Sequence, residues 1–293
     1  MLRPFMLLTY VLTPRIPVRL FATFDGPAFH AMCGDARGKD GVVQLDGGTV
    51  KLYEPYKHVG KEPLTVRGGT IVGSGHSVFE VGGNRKGLLT IDDCIVLHKM
   101  APEREEQSKL GAALFVRGKG SVKIVDSTVS SAAGFGVWLV QKANVTLTNV
   151  TLRECGRSSI VAFQKSQVTV EACRIVDGTP HGICARGDTV VKVLDSEITG
   201  AAVRAIYTYH SAKLSVTGGK VTGTKGGGRA AAIQCDALKD GDEGKVIIVG
   251  CWFEGNEGGD VSVTGNVKAT VQDDAVVWRE ATDFANFADR ERD

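Results

Sequence analysis

Short runs of alternating apolar and polar residues dominate this chain, and they return at a fixed interval. Triplets of β type begin at residues 64, 89, 122, 145, 168, 191, 214, 246 and 269, from Leu64-Thr65-Val66 to Ala269-Thr270-Val271. Successive starts lie 25, 33, 23, 23, 23, 23, 32 and 23 residues apart. Five steps of 23, with two others lengthened by ten and nine, mark an internal repeat. Each triplet is followed by a turn-like residue and a second short β stretch, as at 125–130 and 194–199. A third stretch comes next, as at 136–141 and 182–187. Three short strands per repeat, with no helix-length apolar period between them, predict one coil of a β-solenoid. A leucine-rich repeat has a compatible length but needs one strand per repeat and a leucine framework, which only residues 145–156 approach.

These repeats, with an entry segment at 29–52 that leads into Pro63-Leu64-Thr65-Val66, resemble the right-handed parallel β-helices of the pectin-lyase-like superfamily. In that entry segment an amphipathic stretch from Phe29 precedes the first coil, as is usual for the family. The resemblance covers roughly residues 28–278 and includes the carbohydrate-enzyme-related β-helix modules. It implies an all-β, right-handed parallel β-helix of about ten coils with N- and C-terminal caps. It names no single activity, because that superfamily spans lyases, hydrolases, tailspikes and non-catalytic interaction modules. The expected organisation is a cap or transit peptide over 1–40, the β-helix over 41–278 and a capping tail over 279–293. Coils stacked about 4.8 Å apart give a rod on the order of 45 Å long, whose end strands need cover. The tail offers Trp278, Phe284 and Phe287 as an apolar strip among charges.

Composition agrees and adds limits. Apolar residues reach 43% and glycines number 37, whereas aromatics are only 6%. The formal charge of +2 calls for neither nucleic acid nor a membrane surface. Seven scattered cysteines with no CxxC fit neither a zinc site nor a complete disulfide framework, and point to a reducing, intracellular compartment, cytoplasmic or mitochondrial. The first 24 residues hold three arginines and no acid, as a mitochondrial transit peptide would, although Pro4, Pro14 and Pro17 interrupt any helix. The alternative for them is a β-rich cap. The apolar run at 5–12 is too short to span a bilayer.

One stretch invites a catalytic reading. Asp92-Asp93-Cys94 resembles the acidic centre of polygalacturonases. In register, however, Asp93 aligns with Asp126, Asn149 and Asp195, and Cys94 with Ser127, Val150, Cys173, Ser196, Gly219 and Cys251. Asp and Asn suit a strand-ending corner, and small residues suit the space beneath it. The other polygalacturonase motifs are missing, and the only Pro-His-Gly, at 180–182, lies about three coils away, roughly 14 Å. A lyase needs calcium-binding carboxylates near a basic residue. Arg186 is the best arginine, but no acid aligns beside it in adjacent coils. No catalytic residue, metal site or cofactor is assigned.

The third strand is the unusual one. Alternation points Leu114, Val137, Ile160, Ile183, Ile206 and Ile233 inward, and Phe115, Trp138, Val161, Cys184, Tyr207 and Gln234 outward. A second outward column is Arg117, Val140, Phe163, Arg186, Tyr209 and Asp236, with Gln141, Gln164 and His210 just beyond. Both insertions, at 98–111 and split between 224–229 and 236–244, border this strand and would wall a shallow groove. The expectation is a non-catalytic module that binds a protein or glycan through Phe115, Trp138, Phe163, Arg186, Tyr207, Tyr209, His210 and Asp236. The alternatives are a divergent polysaccharide lyase or glycoside hydrolase on the same face, and residues 1–40 lying across the stripe as an internal lid.

Overall fold

The computed structural model describes residues 22–37, 41–84, 86–99, 111–132, 134–227, 230–239 and 241–272, with the backbone of Val277–Glu280. All but one of the regular elements described are strands, and every strand pairing is parallel. The first and second strands of each coil share one 18-stranded sheet, and the third strands form a ten-stranded sheet that closes the coil. The fold is thus an all-β, right-handed parallel β-solenoid of about ten coils. Register follows the repeat: Val145 faces Val122 and Val168, while Val137 faces Leu114 and Ile160.

Alternation decides what is buried. Ile124, Val129, Leu139, Leu147, Leu152 and Ile160 point inward and are fully buried, forming one core along the axis. Each such side chain contributes roughly 1.5–3 kcal/mol relative to exposure. In two N-terminal coils the first and second strands are a single bent strand, Leu64–Gly73 and Leu88–His98, where the repeat predicts two.

The corner between first and second strands is a column of left-handed residues. Asp93, Asp126, Asn149, Ala172 and Asp195 have φ of 50°, 47°, 53°, 50° and 45°. Asp and Asn tolerate this region best. The corner amides keep the ladder: Asp126, Asn149, Ala172 and Asp195 donate to Thr148, Glu171, Leu194 and Thr217. The next amide in the chain turns inward and takes a side-chain partner from the following coil. The Cys94 and Cys173 amides donate to Ser127 Oγ and Ser196 Oγ at 3.0 Å, and the Val150 amide to Cys173 Sγ at 3.4 Å. The small inward residues are therefore hydrogen-bonding partners as well as fillers.

A 12-residue helix, Gly26–Arg37, closes the N-terminal end. Asp25 caps it, accepting the Ala28 amide at 2.9 Å, and Pro27 sits in its first turn. Phe29, Cys33 and Ala36 form the buried stripe, with Phe29 edge-on to Tyr56 and Phe79 at 5.4 and 6.5 Å. β structure in the described part of 1–40 is confined to Thr23–Asp25, which pairs with Thr49–Leu52. The helix packs on the end of the coil stack rather than across the third sheet. The transit-peptide reading and the side chains of Trp278, Phe284 and Phe287 lie outside the described residues. No helix of the described residues is long and apolar enough to cross a membrane.

Candidate functional site

The third-strand face is assembled by register. Phe115, Trp138, Val161, Cys184, Tyr207 and Gln234 stand in line across six strands, and Phe163, Arg186, Tyr209 and Asp236 form the second row. The line is not uniform. Val161 and Cys184 are buried at its middle and separate two aromatic clusters.

The N-terminal cluster centres on Trp138. Phe115 lies 4.7 Å from it, Phe135 5.6 Å and His76 6.2 Å, and the Arg157 guanidinium sits 5.6 Å over Phe135. The Trp138 ring is half-buried, and its indole N–H is buried without a partner. His98 is buried, its Nδ1 2.8 Å from Ser131 Oγ and its Nε2 2.9 Å from the Gly75 carbonyl. Burial holds His98 below the usual histidine range, and both ring nitrogens face interior partners.

The C-terminal cluster is a stack. The Arg204 guanidinium lies 4.4 Å over Tyr207, Tyr207 stacks on Tyr209 at 5.1 Å and 18°, and Arg186 lies 5.3 Å over Tyr209. Guanidinium over a ring face is attractive through the ring quadrupole. Arg204 Nε donates to Gln234 Oε1 at 2.7 Å, and neither Arg186 nor Arg204 makes an ion pair with a carboxylate among the described residues. His210, itself left-handed at φ 62°, adjoins Tyr209 at 5.2 Å and holds Asp242 Oδ2 with Nδ1 at 2.8 Å. Asp236 stands in the outward row but is buried, with Gln234 Nε2 3.0 and 3.3 Å from its two oxygens.

All eight residues read from the sequence therefore lie on this face, in two groups. Phe115 and Trp138 are in the first; Arg186, Tyr207, Tyr209, His210 and Asp236 are in the second, with Phe163 in register beside Arg186. His76, Phe135, Arg157, His181, Arg204 and Asp242 were missed. Arg204 has the alternation parity of buried Ile206, so periodicity hides it. Asp242 enters from the 236–244 insertion, 32 positions beyond its partner. His181 touches Tyr207 at 5.4 Å and is buried, and its pKa is pushed down to about 3 by burial and then by Arg204. Burial thus favours its neutral form.

The Asp92–Asp93 pair has a structural explanation. Asp92 Oδ2 accepts Arg67 Nε at 2.7 Å, Asp93 is a corner residue, and the Cys94 thiol is buried against the Asp92 and Val66 carbonyls. Among the described residues no group of three or more His, Cys, Asp or Glu is arranged to hold a metal ion. All seven cysteines are buried as thiols.

A family model described as a right handed beta helix region matches residues 78–239, more than half of the chain. No curated protein and no solved structure matches.

Proposed function

Because the chain belongs to the right-handed β-helix family, we propose that its third-strand sheet serves as a ligand platform, making the protein a non-catalytic module for a protein or glycan partner. The observation that carries this reading is the Arg204–Tyr207–Tyr209–Arg186 stack. It presents flat rings held in place by their neighbours and two cations without carboxylate partners among the described residues. Rings locked in this way lose little entropy on binding, and guanidinium forks favour carboxylate or sulfate groups. The buried thiols support a reducing compartment, cytoplasmic or mitochondrial, as its place of work.

A second reading, a divergent polysaccharide lyase or glycoside hydrolase, draws on the His210–Asp242 pair beside Tyr209 and Arg186. A carboxylate-oriented imidazole is a recurrent general base. One experiment separates the two. The protein is incubated with acidic and neutral polysaccharides while unsaturated product and reducing ends are followed, and binding is measured in parallel. The module reading expects binding without turnover. Turnover lost in Arg186→Ala or His210→Ala overturns it.

A further inference from the structure

A second surface lies at the corner between the first and second strands, away from the third sheet. There an open depression of about 510 Å³ is lined by Arg174, Asp195, Glu197, Lys220 and Trp252, over a floor that includes Cys173 and Ser196. This volume falls within the roughly 300–1,000 Å³ range of small-molecule sites. The sequence creates it by interrupting the corner column. Ala172 precedes Asp195 in that column and Gly218 follows it, so Asp195 stands between positions that lack long side chains. A β-carbon on Gly219 would strike the Ser196 backbone, which keeps this side of the hollow open.

The wall is equally specific. Along the second strand one outward column reads Thr128, Thr151, Arg174, Glu197, Lys220 and Trp252 in register. Threonines thus give way to charges and a tryptophan where the depression opens. Glu197 is clamped between two cations, 3.3 Å from Arg174 Nε and 3.1 Å from Lys220 Nζ. Trp252 is 64% exposed, and its indole N–H reaches Glu254 at 3.4 Å. Arg174 and Lys220 balance Asp195 and Glu197, so the lining carries no net formal charge.

We propose that this depression is a binding subsite for a neutral hexose unit of a glycan, with Trp252 as the stacking platform. A pyranose has an apolar C–H face that suits an exposed indole. Its adjacent hydroxyls suit carboxylate and guanidinium groups already fixed by ion pairs. A uronate would meet Asp195 and Glu197, and an amine would meet Arg174 and Lys220; an uncharged polyol meets partners of both kinds. The site is independent of the third-strand platform, where cations without carboxylate partners among the described residues favour anionic groups.

The test uses the full chain and a panel of neutral gluco-, manno- and galacto-configured oligosaccharides, with a galacturonate oligomer for comparison. Tryptophan fluorescence and saturation-transfer NMR read binding. The expected result is saturable binding of at least one neutral oligomer, weakened about 10-fold or more by Trp252→Ala and largely retained by Trp252→Phe. Tyr207→Ala leaves this binding unchanged, which distinguishes the site from the platform. The proposal is overturned if no neutral oligomer binds at millimolar concentration, if Trp252→Ala binds normally, or if galacturonate binding is the one that Trp252→Ala weakens while Tyr207→Ala leaves it intact. Circular dichroism shows whether each variant remains folded; Trp252→Phe and Glu197→Gln provide the reading if Trp252→Ala does not.

Discussion

Ser196→Ala isolates the corner hydrogen bonding. The Ser196 hydroxyl accepts the Cys173 amide at 3.0 Å and donates to the Leu194 carbonyl at 2.8 Å. Removing it leaves Leu194 satisfied, because the Ala172 amide also donates to that carbonyl at 3.0 Å. The Cys173 amide, by contrast, loses its side-chain partner in a buried corner. One orphaned buried donor costs about 1–3 kcal/mol. In urea that corresponds to a fall in midpoint on the order of 0.5–1 M at unchanged slope. Ser196→Cys should recover part of the loss, since the Cys173 thiol already accepts the Val150 amide in the same column at 3.4 Å. Ser215→Ala, on the half-exposed outward side of the first strand, is the control and should change stability by no more than about 0.5 kcal/mol. Equilibrium denaturation followed by far-UV circular dichroism makes the comparison. If Ser196→Ala matches the control, the hydroxyl column is filler and the hydrogen-bonding account is wrong.

Three further outcomes follow from the same geometry. Trp138→Ala combined with Tyr207→Ala should abolish ligand binding on the third-strand face while leaving the protein folded; unfolding of the double variant would instead assign the stripe to internal packing. Folded His181 has its pKa near 3 against about 6.5 unfolded, so the unfolded chain binds the proton first. Its stabilising contribution is full above pH ~6.5 and is lost as pH falls towards ~3, and His181→Gln should make the acid side of a melting-temperature profile shallower. Burial raises the thiols of Cys33 and Cys155 to about 11 and of Cys235 to about 12. An aromatic disulfide reagent at neutral pH should therefore label the native protein slowly and all seven cysteines after denaturation; rapid native labelling would contradict the burial.

The repeat made the solenoid legible because each coil solves the same problem at the same positions. Val122, Val145 and Val168 must face inward, and Asp126 and Asn149 must turn the chain, so the pattern of one coil predicts the next. Seven of the eight face residues were placed for the same reason, as outward columns of a known period, and His210 by its position just beyond them. What escaped depends on contacts that no period encodes. Arg204 opens its strand and lies over Tyr207, and Asp242 reaches His210 from an insertion. The depression at Trp252 is formed by missing side chains and appears only when the coils are stacked. The serine and cysteine column looked like packing because hydrogen-bond direction is invisible in residue size.

The parallel ladder also gives the rod a mechanical grain. Its interstrand hydrogen bonds run along the stacking axis, so a pull between the two ends loads them head-on instead of in shear. Such a load opens the rungs of one coil before those of the next. A 23-residue coil released in this way adds roughly 75–80 Å of chain. Bending stretches the same bonds on the convex side of the rod, and the continuous core opposes it.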